Sequence, residues 1–102
     1  MQFPATLLII VALANFAFAD VHVKGLCVDV KEDYNLYSVN ATQSACDEYK
    51  KRNTGTEKWD TCPDCLMIET EPPHCESLGS HMGEKEFQEY CKAAGASKAM
   101  MN

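Results

Sequence analysis

The chain opens on an unbroken apolar run and then changes character. Leu7 to Ala14 reads LLIIVALA without a charge, and Ala17 and Ala19 supply the small-x-small pattern that signal peptidase accepts before Asp20. A run this short falls well under the roughly 20 apolar residues of a spanning helix, so residues 1–19 are predicted to be a cleaved signal peptide. Residues 20–102 then form one expected domain, with no repeat, no low-complexity tract and no second apolar run.

Within that domain the hydrophobic period changes repeatedly. Val21 to Val30 (VHVKGLCVDV) alternates, but its apolar phase passes from Val21 and Val23 to Leu26, Val28 and Val30 across Gly25. Alternation predicts a strand, and a phase switch at a glycine predicts a bulge there. Lys31 to Asp33 reads as a turn and Tyr34 to Val39 as a short strand. From Ala41 to Arg52 the period is helical, with Ala41, Ala45, Cys46 and Tyr49 on one face. Asn40 with Gln43 resembles a capping box, Lys50, Lys51 and Arg52 oppose the dipole in the last turn, and Asn53 and Gly55 supply the stop.

Thr56 to Asp64 reads as a loop holding the single tryptophan, Trp59. Cys65 to Thr70 (CLMIET) is a predicted strand, broken by Pro72 and Pro73, which cannot donate to a ladder. A second helix is expected from Glu84 to Ala94 on the stripe Phe87, Tyr90, Cys91 and Ala94, closed by Gly95. Residues 96–102 are a tail, frayed or forming a short last strand. Thr56 to Ser80 is long for a loop and leaves room for a strand that the pattern does not show. Two amphipathic helices need an apolar surface, and the simplest is the face of a small sheet. The predicted fold is therefore α+β, a two-layer sandwich with an antiparallel sheet of about three to four strands and both helices on one face.

Composition adds the staples. Cys27, Cys46, Cys62, Cys65, Cys75 and Cys91 all follow Asp20, and an even count in a short exported chain reads as a disulfide framework. Their spacing leaves all fifteen pairings open. The formal charge of −6 resides entirely in the mature part. It disfavours nucleic acid, which needs a basic surface, and disruption of anionic membranes, and it suits a monomer kept in solution by its charge.

Three constellations carry candidate chemistry. Cys62-Pro63-Asp64-Cys65 is a CxxC, which suggests a redox dithiol in a reducing compartment. In an exported chain it is expected to form two half-bridges to other elements. Cys62, Cys65, His74 and Cys75, with His81 nearby, have ligand-like spacing for zinc, but oxidising conditions pair the thiols first, so no metal or other cofactor is expected. His74 is flanked by Glu69, Glu71 and Glu76, yet no nucleophile motif accompanies it, and no catalytic residues are assigned. Asn40-Ala41-Thr42 is an N-glycosylation acceptor, and Trp59, in its cysteine-flanked loop, either packs under that loop or marks a contact surface.

Ala41-Thr42 through Ala45-Cys46, Tyr49, Arg52 to Gly55, Trp59-Asp60, the CxxC, and the closing Glu86-Phe87 with Tyr90-Cys91 together resemble a pattern in small secreted cysteine-rich proteins of fungi. The likeness spans about residues 25–92. It is nearest to the biotrophy-associated secreted effectors of blast-type plant pathogens, part of which are thought to share the two-helix, four-stranded fold of a smut virus killer toxin. The resemblance implies release into the host apoplast or the space around invasive hyphae, and binding of a host or cell-wall component rather than catalysis. It implies no catalytic residues. Three other functions are weighed beside it: a killer-toxin-like or antimicrobial protein, a protease inhibitor using the stretch from Asp64 to Cys75, and a small enzyme using His74.

Overall fold

The computed structural model describes residues 21–70 and 72–102. The expected signal peptide, residues 1–19, lies outside them. The elements are β1 (Val21–His22), β2 (Lys24–Val30), β3 (Asn35–Tyr37), α1 (Val39–Lys50), a single 3-10 turn (Lys58–Asp60), β4 (Leu66–Ile68), β5 (His74–Glu76), β6 (Met82–Gly83), α2 (Glu84–Ala93) and β7 (Lys98–Met101).

A five-stranded antiparallel sheet is built around β2. β7 runs along one edge of β2, from Gly25 opposite Met101 to Val28 opposite Lys98. On the other edge β5 and β3 lie end to end, with Gly25 opposite Cys75 and Val28 opposite Tyr37. β4 extends the sheet beyond β5, and β1 pairs with β6 in a separate two-stranded ribbon. Both helices pack on one face of the main sheet, which is the predicted two-layer α+β arrangement. The sheet exceeds the expected three to four strands because the tail forms β7 and His74 opens β5. The Pro72-Pro73 break is present, but it separates two strands rather than ending the sheet.

The first strand is interrupted two residues earlier than predicted. The chain bends at Val23, not at Gly25. Both Val23 and Lys24 donate their N–H to the Asn102 carbonyl, while the Val23 carbonyl accepts from Ser77. The phase switch thus marks a change of sheet, since Val21 and His22 belong to the small ribbon. Gly25 sits in the regular part of β2 for a different reason. A Cβ there would lie 3.0 Å from a ring carbon of Phe87, so a side chain at this position would press Phe87 back, and glycine lets α2 pack closely.

Helix α1 also begins earlier than the Asn40–Gln43 pattern indicates. Ser38 is the N-cap, with extended backbone and its Oγ accepting the Ala41 N–H at 3.2 Å. Tertiary contact decides this. The Thr42 hydroxyl donates to the Ser38 carbonyl at 2.7 Å and accepts the Cys27 N–H at 2.8 Å, which turns the first helical turn toward β2. Thr42 joins Ala41, Ala45, Cys46 and Tyr49 on the buried face. Helix α2 buries Phe87 and Cys91 and stops at Gly95, whose φ of 99° is the left-handed conformation that suits glycine.

The core lies between the helices and the sheet. Tyr49 is fully buried at its centre, its ring 6.4 Å from that of Phe87 and 5.3 Å from that of Tyr90. Two disulfides cross the same layer: Cys27–Cys91 joins β2 to α2, and Cys46–Cys75 joins α1 to β5. The third, Cys62–Cys65, closes within the CxxC itself. This corrects the expectation of two half-bridges to other elements. The two cysteines lie at the ends of one tight turn, in which the Cys65 N–H donates to the Cys62 carbonyl at 3.2 Å.

Candidate functional site

The sheet has a second face, and neither helix covers it. Side chains alternate along a strand, and Cα partners in an antiparallel pair share a face. The registers therefore place Leu26, Val28, Val30, Leu66, Ile68 and Met100 together on the side away from the helices, joined by Tyr37 and His74. Several are open to solvent: Leu66 is 60 % exposed, Val30 52 % and Met100 48 %. Large apolar residues scattered singly need no explanation, but a set gathered on one sheet face is the signature of a contact surface.

A groove of about 310 Å³ crosses this face, lined in part by Lys24, Leu26, Pro72, His74, Met100 and Asn102. Its pairing is firm on one side: the Tyr37 hydroxyl donates to the Pro73 carbonyl, tying β3 to the segment that enters β5. Burial raises the Tyr37 phenol above its ordinary value, so it remains a donor. His74 Nδ1 lies 2.9 Å from the Pro72 carbonyl. A carbonyl only accepts, so Nδ1 carries a proton, and Nε2 is buried with no partner among the described residues. Among the described residues, neither Lys24 nor Lys98 on this face is engaged in an ion pair.

The structure disperses the sequence-derived zinc set. His74 and Cys75 are neighbours in β5 and therefore point to opposite faces, His74 to the bare side and Cys75 into the core. His81 Nδ1 lies 2.9 Å from the Lys58 carbonyl in another part of the molecule. Three sulfurs do converge, those of Cys46, Cys65 and Cys75, all within 4.8 Å of one another, but each is committed to a disulfide.

Among the described residues the His74 constellation is not assembled, since the ring contacts a carbonyl rather than a carboxylate; Glu71 lies outside them. The nearest approach to a serine, histidine and acid cluster is Ser77, Asp64 and His81, which sequence reading did not single out. Its geometry is structural. The Ser77 hydroxyl donates to Asp64 Oδ1 at 2.6 Å and accepts the His81 N–H at 3.0 Å, and Ser77 is completely buried. Burial pushes the Asp64 carboxyl up, but the bonds from Ser77 and the Gly79 N–H and the nearby His81 ring hold it below the usual range. The cluster fastens the turn before β6. Among the described residues, no nucleophile, base and orienting group are brought together for reaction.

Trp59 is half-buried, and its Cβ lies 3.0 Å from where a Gly83 Cβ would sit. Its loop is closed by Asp60, which accepts the Thr54 hydroxyl at 2.6 Å and the Glu57 N–H at 2.9 Å. Those bonds hold the Asp60 carboxyl below its ordinary value. The buried Tyr49 hydroxyl then draws the loop onto the core, donating to the Trp59 carbonyl at 2.8 Å. Asn40 is exposed in the first turn of α1, in the layer opposite the bare sheet face.

Residues 20–99 match the family model described as biotrophy-associated secreted protein 4, or BAS4. The chain belongs to the BAS4 family. It is thus a secreted, cysteine-rich effector-type protein of the fungal kind, and the BAS4 match covers both helices, every cysteine and the bare sheet face except Met100. No curated protein and no solved structure matches the chain. No helix among the described residues of this BAS4-family chain is long and apolar enough to cross a membrane.

Proposed function

We propose that this BAS4-family protein acts by binding a host or cell-wall component on its bare sheet face, in the apoplast or in the space around invasive hyphae. The observation that carries this reading is the gathering of Leu66, Val30 and Met100, all about half exposed, on a face that neither helix covers. The two bridges that cross the core brace the opposite side of the same sheet, so the face is held rigid before any partner arrives. Such pre-organisation lowers the entropic cost of association.

Capture from apoplastic fluid tests the reading, with the oxidised protein as bait beside a Leu66→Glu, Met100→Glu variant. Wild type should retain a partner that the variant loses by at least about tenfold, equivalent to about 1.4 kcal/mol. Equal capture by both proteins, with matching circular dichroism, rules the sheet face out.

The same reading treats Asn40 as a glycan site, and the cap geometry supports it. Ser38 caps the helix, so the Asn40 amide is not required there. A sugar in the helix layer leaves the binding face clear. Peptide N-glycosidase should lower the mass of the secreted protein but not that of an Asn40→Gln variant; an unchanged wild-type mass removes the assignment.

The geometry gives one second reading some support. Asp64 to Cys75 is not an open loop but holds β4 and the start of β5, most of a hairpin with bridged cysteines, Cys65 and Cys75, at the two arms. A braced hairpin of this kind suits a protease inhibitor. Recovery of a protease as the captured partner, with loss of its activity, would favour that reading over binding of a non-enzymatic component.

A further inference from the structure

Two bridges meet beside the β4–β5 hairpin and form one sulfur locus. The Sγ atoms of Cys46, Cys65 and Cys75 lie within 4.8 Å of one another, and Cys65 is bonded to Cys62 while Cys46 is bonded to Cys75. The two bridges differ in what they hold. Cys46–Cys75 spans a sequence separation of 29, whereas Cys62–Cys65 spans 3 and so restricts the unfolded chain least. Their charged surroundings differ as well. Asp64 Oδ1 lies 3.7 Å from Cys62 Sγ. On the other side, the Lys50 ammonium donates to the carbonyls of Cys65 at 3.2 Å and Pro63 at 3.3 Å. A carboxylate disfavours a thiolate at Cys62, and an ammonium favours one at Cys65.

We propose that Cys62–Cys65 is the reducible trigger of a thiol–disulfide exchange that passes to Cys46–Cys75. An external thiolate, from glutathione or a protein dithiol, attacks Cys62 Sγ. The Cys62–Cys65 bond breaks, the reductant joins Cys62 as a mixed disulfide, and the bonding pair leaves on Cys65 as its thiolate. That thiolate then attacks Cys75 or Cys46, forming one crossed S–S bond, breaking the Cys46–Cys75 bond and expelling the other sulfur as a thiolate. The second step makes one S–S bond and breaks one, so the external thiol is the only species oxidised. The outcome unlatches α1 from β5 while Cys27–Cys91, which joins β2 to α2, stays closed. All four sulfurs are buried, so the exchange waits on local opening of the turn that carries Pro63 and Asp64.

Partial reduction tests this. The oxidised protein is treated with limiting glutathione, quenched with acid and its bridges are mapped by mass spectrometry. A crossed Cys65–Cys75 or Cys46–Cys65 pair is expected beside an intact Cys27–Cys91. A Cys62→Ser variant supplies the attacking thiol without any reductant, and its free thiol should be spread over Cys46, Cys65 and Cys75. In Cys65→Ser the Cys46–Cys75 bridge should stay intact. The proposal is overturned if reduced Cys62 and Cys65 accompany an intact Cys46–Cys75 with no crossed pair, if all three bridges open together, or if alkylation of Cys62→Ser labels Cys65 alone.

Discussion

The two faces of one sheet are built from similar residues and do opposite things. The covered face presents Cys27, Cys75, Met67 and Met101 to Phe87, Tyr49 and two disulfides. The bare face presents Leu26, Ile68, Leu66 and Met100 to solvent or to a partner. Because neighbours in a strand point to opposite sides, each strand contributes to both, and a one-residue shift in register would exchange them. The lesson is that apolar content alone does not locate the core of a small stapled domain. What marks the core face is the pair of cysteines, which lock it to the helices.

That contrast can be tested from its strongest side downward. Phe87 is completely buried against Gly25 and Tyr49, so Phe87→Ala should cost about 3–5 kcal/mol of unfolding free energy in urea. The bridges should rank by the loop each closes. Replacing both cysteines of Cys27–Cys91, separation 64, should cost about 4 kcal/mol, Cys46–Cys75 about 3.5, and Cys62–Cys65 about 2. Equal urea midpoints for the three double variants would show that native packing, not chain restriction, sets their worth.

Tyr49→Phe sharpens the same side of the comparison. Its hydroxyl serves the Trp59 carbonyl, the His81 carbonyl at 3.2 Å and the Gly83 N–H at 2.9 Å, so its loss should cost about 1–3 kcal/mol. Burial pushes the Tyr49 phenol up to about 12 from 10.0. A raised folded pKa means that the unfolded chain loses its proton first. The contribution is therefore complete below pH 10 and lost as pH rises toward 12. Urea unfolding across that window should show a decline that Tyr49→Phe removes; an unchanged slope would sink the assignment. The smallest effect belongs to the bare face. Leu66→Ser should change stability by no more than about 0.5 kcal/mol, and a loss of several kcal/mol would mean that the face is part of the core after all.

Much of this architecture was legible in the pattern of residues. The stripe Phe87, Tyr90, Cys91, Ala94 and the stop at Gly95 placed α2 correctly, because a helix repeats its contacts locally and its terminating glycine acts through its own φ. The cap of α1 was not legible. Asn40 and Gln43 have the right chemistry, but Ser38 prevails because Thr42 must reach the backbone of β2. β5 was hidden for a related reason, whereas β7 is one of the two outcomes expected for the tail. His74-Cys75-Glu76 is short and lies beside two prolines, and its pairing with β4 and β2 comes from distant residues. The zinc-like spacing misled because sequence distance says nothing about which face a strand residue takes.

By itself, the sequence determined that the chain carries six cysteines in an exported domain, that two amphipathic helices need a sheet beneath them, and that the opening apolar run is of signal-peptide length. These are properties of composition and local period, which each segment carries wherever it is placed. Only the tertiary structure decided which cysteines bond, that the CxxC closes on itself beside Cys46–Cys75, and which side of β2 is left bare. Those outcomes depend on register and on the approach of segments tens of residues apart, and no local pattern encodes them.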